Sequence, residues 1–492
     1  MLKEILVRVA KDSLTYGIGN AVTRFIQLLT LPIIAKSLTP EEFGNWNLLV
    51  IAAAVLNTFM IFGLDSGIIR FFHDDKSEAY QKKLFSTGFA LMVAISLCLS
   101  ILYVNISSGV LRIIHLDDRY TLSYYITVFW MPGMALQLYL INWFKWTFQK
   151  SKFIISTFGF AGLSLILLLA AKQYLVLSIE IVLAAAAISQ WITVLLGLWL
   201  AREHFTTDLD WALLKKVIPY SIPLMVVMLI GTLRNSLDRL FLSEYTFQDR
   251  NIVGFYSMAQ RLGMFMNLFV FAFDIAFNPM VFANWDKPGA KQAFARIQQY
   301  YLLAMNWMAV CLCAVAPILI QLFATDEYRT VVKILPLFFV ANYLLGLYSF
   351  ASIGISHSKK TYLTMVTLVG SLVVLYSVNL FLTPYFKVWG VGMGLIASIV
   401  VMIAIGYYYT NKYYHIDFEW TKNSITIVFG CLLSFITVNV TLAENDWLNV
   451  LLLLIMVNVL FFVFSLLITT REDKMKMVSY VSGLMKSKSS MG

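Results

Sequence analysis

Long apolar runs separated by short polar segments extend along the chain. Fourteen runs reach 18 residues or more, and about 20 residues suffice for a helix to cross the apolar core of a bilayer. They lie near positions 13–36, 43–63, 84–104, 121–144, 153–171, 179–201, 217–242, 252–283, 300–323, 331–354, 361–382, 388–410, 424–443 and 447–469. A helix satisfies its own backbone hydrogen bonds in lipid. The pattern therefore predicts an all-α polytopic membrane protein with about fourteen transmembrane helices.

The composition excludes a soluble protein. Of the 492 residues, 60% belong to the apolar set AVILMFWYC and only 13% are charged, about half the charged share of an ordinary soluble domain. A soluble core cannot cover this much apolar surface, and a disordered chain has far less of it. Because the segments between the runs are short, no soluble domain of any size is expected.

Basic residues are divided unevenly between the two sides on which alternating loops lie. One side, which includes both ends of the chain, carries 25 of the 37 Lys and Arg residues, and the other side carries eight. Cytoplasmic loops of membrane proteins collect Lys and Arg, so we expect both termini to be cytoplasmic. This rule also accounts for the net charge of +10 without a nucleic-acid partner.

A shift of 210 residues brings similar features of the two halves into register without a gap. The matched pairs are Arg24 with Arg234, Gly44 with Gly254, and Lys150 with Lys360. Six spans per unit give both units the same orientation, so their relation is a pseudo-two-fold axis along the membrane normal, with a substrate site between them. We therefore predict a lobe of six helices over residues 1–204 and a second over 205–414. Residues 415–470 hold two further spans, and 471–492 form a basic cytoplasmic tail.

Arginines lie inside the predicted spans, where a charge is costly and usually marks a pathway, a pair or a cavity. The candidate cavity residues are Arg24, Arg234, Arg239 and Arg261 on spans 1, 7 and 8, with the polar neighbours Asn20, Gln27 and Asn235. Arginine stays protonated and binds phosphate through paired hydrogen bonds, so these side chains predict an anion-binding cleft between the lobes. The alternative is that Asp238 and Arg239 pair with partners and hold span 7 in place.

Acidic residues at membrane depth are candidates for ion coupling or for a gate. Asp274 lies deep in span 8, where a carboxylate can couple transport to Na⁺ or H⁺ or form a structural pair. Asp238 lies in span 7, and Asp65 and Arg70 end span 2, where a gate contact competes with an ordinary helix end. Four cysteines lie in apolar runs and five histidines are scattered without ligand spacing. No metal site is therefore predicted.

Several short motifs resemble those of the polysaccharide transporter family. They are LTPEEFG at 38–44, GLDSG at 63–67, RFF at 70–72, IPYSIP at 218–223, DR at 238–239 and VGFYSMA at 253–259. This family includes the Wzx-type flippases of O-antigen and capsule units. It belongs to the multidrug/oligosaccharidyl-lipid/polysaccharide (MOP) superfamily, together with the multidrug and toxin extruders (MATE) and the lipid II flippase. Length, span count and lobe order agree with the family over the whole chain.

The resemblance implies a MATE-like fold and a specific transport function. An undecaprenyl-diphosphate-linked oligosaccharide, the repeat unit of an O-antigen or capsule, would move from the cytoplasmic to the outer leaflet of the bacterial plasma membrane by alternating access. No cofactor is implied beyond a coupling ion, Na⁺ or H⁺. The implied partners are the lipid-linked substrate, the bilayer and the polymerase or export machinery of the polysaccharide.

Four other functions remain as alternatives. A lipid II flippase uses the same physics, whereas a cation-coupled drug extruder favours an acidic cleft for cationic drugs. An integral-membrane glycosyltransferase or polymerase usually needs acidic residues in a sizeable loop, and the longest outward loop, about 105–120, offers only Asp117 and Asp118. No nucleophile triad or P-loop pattern is found, so an enzyme is not expected. A scaffold that transports nothing has no need of buried arginines.

Overall fold

The computed structural model describes residues 23, 25–72, 74–75, 77–246, 249–360 and 362–468, and this part of the chain forms helices joined by short turns. The first half contains α1 (Phe25–Ala35), α2 (Pro40–Ile61), α3 (Leu64–Phe71), α4 (Glu78–Asn105), α5 (Ser107–Ile113), α6 (Thr121–Trp146), α7 (Lys150–Tyr174) and α8 (Ile179–Ala201). The second half contains α9 (Trp211–Arg234), α10 (Leu237–Tyr245), α11 (Asn251–Asn284), α12 (Ala290–Ala314), α13 (Ala316–Phe323), α14 (Leu335–Ala351), α15 (Ile353–His357), α16 (Tyr362–Phe386), α17 (Val388–Tyr413), α18 (Trp420–Asn439) and α19 (Asp446–Ile468). Short 3₁₀ helices occupy Asp118–Tyr120, Arg202–His204 and Asp326–Lys333.

The described helices confirm the prediction of an all-α membrane protein with many spans. Twelve segments are long and apolar enough to cross a membrane, and α12 with α13, which meet at a bend of 60°, make a thirteenth. These segments coincide with thirteen of the fourteen predicted runs. The remaining run, 13–36, lies largely outside the described residues, and its described part is α1.

The start of α2 is fixed by local chemistry. Thr39 caps the helix, because its hydroxyl accepts from the Glu42 backbone N–H at 3.3 Å while the Glu42 carboxylate accepts from the Thr39 N–H at 2.9 Å. Pro40 occupies the first helical position, where its missing N–H costs nothing. This reciprocal capping box satisfies donors that the helix itself leaves unpaired. The LTPEEFG motif therefore defines where the span begins.

Helix breaks divide three of the predicted spans, and a fourth predicted span ends at a break. Between α2 and α3, Phe62 and Gly63 have φ values of 53° and 68°, a left-handed conformation that cannot continue a right-handed helix. Between α9 and α10 the break falls at Asn235 and Ser236. The predicted runs 217–242, 300–323 and 331–354 are divided at 235–236, 315 and 352, whereas the run 43–63 ends at its break. The breaks at 62–63 and 235–236 lie next to residues that line the interface described below.

The helices of the first half recur in the second half 210 residues later. With this shift α4, α5, α7 and α8 fall on α12, α13, α16 and α17, and α6 falls on α14 followed by α15; each pair begins within four residues of register. In the described residues the two halves thus form two lobes with the same helix order, related by a pseudo-two-fold axis. The last two helices pack on the second lobe, where Trp307 of α12 donates to the Asn458 side chain of α19 at 2.9 Å.

Ion pairs between loops sort the loops into two faces, as alternate crossing requires. On one face, called here the basic face, Lys83 pairs with Asp208 at 2.5 Å and Lys152 pairs with Glu203. The opposite face is marked by four other pairs. They are Arg119 with Glu41 (3.1 Å), Arg250 with Asp117 (3.4 Å), His115 with Glu244 (2.8 Å) and Arg329 with Asp446 (3.5 Å).

Candidate functional site between the two lobes

A pocket of about 370 Å³ lies between the lobes, near the middle of the span formed by α2 and α3. Its described lining comes from α2, α6, α7 and α8 of the first lobe and from α9 of the second. The lining residues are Ala54, Asn57, Thr58, Ile61, Trp130, Met134, Gln137, Leu138, Ile141, Phe160, Gln190, Met228 and Thr232. The volume is near the lower end of the roughly 300–1,000 Å³ of small-molecule sites.

One wall of this central pocket consists of uncharged hydrogen-bonding side chains. The Gln137 amide donates to the Ser156 carbonyl at 2.9 Å and accepts from the Gln190 amide. The Trp130 indole N–H donates to the Gln190 side-chain oxygen at 3.4 Å. The side-chain oxygen of Asn57 is buried and has no partner among the described residues. The described lining contains no charged residue, so the wall suits a neutral ligand with many hydrogen-bonding groups.

On the side of the opposite face, the lobes meet through two glycines. A Cβ atom added to Gly44 of α2 would lie 2.8 Å from the backbone nitrogen of Gly254 of α11. A Cβ atom added to Gly254 would lie 2.7 Å from the carbonyl carbon of Pro40. These are the glycines that the 210-residue shift equates. Because equivalent residues touch only where the symmetry axis passes, this contact marks the axis.

On the side of the basic face, the lobes meet through α3 and α9. A Cβ atom at Gly63 would lie 2.9 Å from the Met225 backbone nitrogen, and one at Gly67 would lie 3.2 Å from the Ser221 Cβ atom. The rings of Phe71 and Tyr220 also pack edge to face, with centroids 5.9 Å apart. The central pocket therefore lies between two closures of the inter-lobe interface.

Arg261 extends from α11 of the second lobe to aromatic rings on α2 of the first. Its guanidinium carbon lies 4.4 Å from the Trp46 ring centroid and 5.7 Å from that of Phe43. Cation–π contacts of this kind stabilise a charge that lacks water. The Nε atom is buried and has no partner among the described residues, so this arginine retains an unused donor at the closure on the opposite face.

Arg239 and Asp238 form a compact network within the second lobe. The Arg239 Nε atom lies 3.3 Å from a carboxylate oxygen of Asp238, whose other oxygen accepts from the Tyr256 hydroxyl at 2.9 Å. The Arg239 guanidinium also donates to the Asn235 carbonyl. These bonds tie α10 to α9 and α11. They correspond to the alternative in which Asp238 and Arg239 pair and hold span 7 in place instead of lining a cavity.

Arg234 does not line the central pocket in this conformation. It is the last residue of α9 and is buried, and its Nε donates to the Ser371 hydroxyl on α16 at 3.1 Å. Its Nη2 atom has no partner among the described residues. The side chain thus points into the second lobe, whereas Met228 and Thr232 form the α9 wall of the pocket.

The other predicted cavity residues are distributed differently. Gln27 is exposed on α1, and the Asn235 side chain is exposed at the break after α9. Arg24 and Asn20 lie outside the described residues.

The acidic candidates lie apart from one another. Asp274 is half-buried and accepts from the Ser349 hydroxyl at 2.7 Å. Asp65 accepts from Ser66 at 3.0 Å and from the Asn142 side chain at 3.2 Å, beside the closure on the basic face. Arg70 is exposed and pairs with Asp74 of the same turn at 3.5 Å.

The polar wall was not predicted from the sequence, in which the charged residues are the conspicuous polar feature of the spans. Gln137 and Gln190 are long amides in the middle of apolar runs, and an amide at that depth needs a partner because lipid offers none. The sequence shows these two amides at membrane depth. It does not show that they meet across α6 and α8, because that contact depends on which helix faces pack together.

Comparison with known proteins identifies relatives. A family model described as "Polysaccharide biosynthesis protein" matches residues 9–285, which is more than half of the chain. Among curated protein sequences none gives a significant match.

Solved structures share the fold at low sequence identity. A lipid II flippase MurJ in an inward closed conformation aligns with a TM-score of 0.71 at 13% identity, over 91% of this chain and 98% of that one. A MOP superfamily transporter from Pyrococcus furiosus aligns with a TM-score of 0.61 at 15% identity, over 82% and 95%. An inward-facing multidrug resistance MATE transporter aligns with a TM-score of 0.60 at 14% identity, over 83% and 98%. At these identities the likeness establishes the fold alone.

Proposed function

The chain belongs to the family of polysaccharide biosynthesis proteins, and from this premise we propose that it flips a lipid-linked oligosaccharide by alternating access. The substrate is an undecaprenyl-diphosphate-linked repeat unit of an O-antigen or capsule, moved from the cytoplasmic to the outer leaflet of the bacterial plasma membrane. The observation that carries the proposal is the pocket between the lobes, which lies between a closure toward each face.

Alternating access follows from the two closures if they open in turn. Opening α3 from α9 exposes the pocket to the basic face, and opening α2 from α11 exposes it to the opposite face. Only the headgroup of the lipid has to enter, because the hydrocarbon tail can remain in the bilayer. By the positive-inside rule the basic face is cytoplasmic, so both termini are cytoplasmic as well.

The arginines of spans 1, 7 and 8 are proposed to carry the diphosphate through the interface. A guanidinium in a low-dielectric site costs free energy unless it is paired, and a diphosphate offers several acceptors for such donors. Arg234 and Arg261 each retain a buried nitrogen without a described partner. We assign Arg24, the repeat equivalent of Arg234, to the same role, with Asn20, Gln27 and Asn235 as polar neighbours and Arg239 as a further contact.

Ion coupling and gating are assigned to the acidic residues. Asp274 is the candidate for Na⁺ or H⁺ coupling, since among the described residues no cation lies within 4.0 Å of its carboxylate and Ser349 is its hydrogen-bond donor. Asp65 joins α3 to α6 beside the closure on the basic face, which is where a gate contact is needed. Asp238 supports α10 through Arg239 and Tyr256.

The drug-extruder alternative is less well supported by the pocket. Cationic drugs are held by acidic side chains, and the described lining contains none.

Deletion of the gene is expected to remove one surface polysaccharide, cause its lipid-linked precursor to accumulate, and leave drug sensitivity unchanged. Gel analysis of surface glycans and growth on cationic dyes measure the two effects. An intact glycan together with dye hypersensitivity would assign the chain to the extruders.

The orientation is tested with reporter fusions. Fusions after Thr246 and Asp446, on the opposite face, are expected to report an extracytoplasmic position. Fusions after Lys150 and Lys360, on the basic face, are expected to report a cytoplasmic one. The physical reason is the excess of Lys and Arg in the loops of that face. Reversal at any two of the four points would contradict the proposed topology.

A further inference from the structure

We propose that the uncharged wall of the central pocket is a saccharide subsite that recognises sugar hydroxyls separately from the diphosphate. Its residues are Asn57, Trp130, Gln137 and Gln190. The inference rests on the proposed flippase function and deepens it, because it assigns specificity for the glycan to residues that carry no charge.

The chemistry of the wall matches a sugar better than a phosphate. Hydroxyl groups both donate and accept hydrogen bonds, as do carboxamides, whereas a diphosphate only accepts and requires cations or donors. Gln137 and Gln190 hold each other and the Ser156 carbonyl, so their amides are already oriented before a ligand arrives. The Trp130 ring lines the same wall, and aromatic faces commonly pack against the apolar side of a sugar ring.

Asn57 provides the acceptor that this network leaves unused. Its side chain is 5% exposed, and its Oδ1 atom is buried with no partner among the described residues. Leaving a buried polar atom unpaired costs free energy, and a ligand hydroxyl in the pocket would remove that cost. Beside it, the Thr58 and Thr232 hydroxyls meet across the lobes at 3.5 Å, so a sugar at Asn57 lies where the lobes must separate.

The subsite and Arg261, at the closure on the opposite face, are far enough apart to act independently. Asn57 follows Trp46, the ring beneath Arg261, by eleven residues on α2, which is about 16 Å along the helix axis. Substitutions more than about 7–10 Å apart without shared partners usually have additive effects. The volume of about 370 Å³ is small for a ligand site, so the pocket recognises part of the oligosaccharide and not all of it.

The test measures binding of two lipids to the purified full-length chain in lipid nanodiscs. One probe is the lipid-linked oligosaccharide extracted from cells that lack this chain, and the other is undecaprenyl diphosphate without sugar. Asn57→Ala is expected to weaken binding of the oligosaccharide about three- to ten-fold, the equivalent of one lost hydrogen bond, and to leave undecaprenyl diphosphate binding unchanged.

Asn47→Ala is the matched control. Asn47 is an equally buried asparagine on α2 with an amide nitrogen that lacks a described partner, but it does not line the pocket. It is expected to bind both probes as the wild type does. A second variant, Ala54→Phe, fills the pocket from the same helix and is expected to abolish the preference for the sugar-bearing lipid. It provides a test of the subsite if Asn57→Ala does not fold.

Each outcome is decisive. An equal loss on both probes in Asn57→Ala, or unchanged oligosaccharide binding in both Asn57→Ala and Ala54→Phe, overturns the subsite. Wild-type protein that binds neither lipid overturns the flippase proposal itself, which is a different result from a wild type that binds both.

Discussion

Gly254→Ala is expected to reduce transport about ten- to a hundred-fold while the protein still inserts into the membrane. The added methyl group would lie 2.7 Å from the Pro40 carbonyl carbon, so α2 and α11 cannot reach their closed distance. Overpacking costs about 1–3 kcal/mol, and about 1.4 kcal/mol is a factor of ten. The change disfavours only the state closed at the opposite face, and the measurement is export of surface glycan at matched membrane levels.

Gly162→Ala is the control for this prediction. Gly162 lies inside α7, and no atom is within 4 Å of a Cβ added there. Alanine favours a helix by about 1 kcal/mol over glycine, so this variant should export glycan like the wild type. Equal export by the Gly254→Ala and Gly162→Ala variants would show that the glycine contact is not a closure of the transport cycle.

Arg234→Ala is expected to abolish most flipping by removing a contact to the diphosphate. A hydrogen bond to a charged group contributes about 1.5–3 kcal/mol, which corresponds to about ten- to a hundred-fold in binding. Lysine should retain part of the activity through its charge, and aspartate should be worse than alanine because it repels the anion. Arg24→Ala is expected to behave in the same way. Complementation of the deletion strain, with membrane levels checked by blot, measures the effect.

Ser371→Ala separates this role from a structural one. Ser371 accepts the hydrogen bond from Arg234 Nε in this structure, so its removal frees the guanidinium without removing its charge. If Arg234 acts on the substrate, Ser371→Ala should export glycan normally. Full export by Arg234→Ala would mean that the arginine is structural and that the diphosphate is bound elsewhere.

Most of the fold could be predicted from the sequence, because spans and repeats are one-dimensional patterns. The length of the apolar runs predicts the helices, and the 210-residue shift pairs Gly44 with Gly254, which are in contact in the structure. The contact itself could not be predicted, since a repeat does not state where its axis passes. The break at Asn235 and Ser236 was also not predicted, because a turn inside the apolar run 217–242 leaves the hydrophobic pattern intact.

The candidate site was predicted less completely than the fold. Arginine at membrane depth is conspicuous in a sequence, but its direction depends on helix rotation, and Arg234 turns toward α16 in this conformation. Gln137 and Gln190 form a site only because α6 and α8 bring their amides together. Pairing between distant helices cannot be read from one chain without an independent constraint on packing.

We propose that this chain moves a lipid-linked oligosaccharide to the outer leaflet. The most direct test is to measure, in the deletion strain, in which leaflet the accumulated oligosaccharide lies. Spheroplasts are treated with a membrane-impermeant glycan-cleaving enzyme or lectin, with and without the restored gene. We expect the oligosaccharide to be protected without this chain and to become accessible when the wild type is restored. Equal accessibility in both strains would contradict the proposed flippase function.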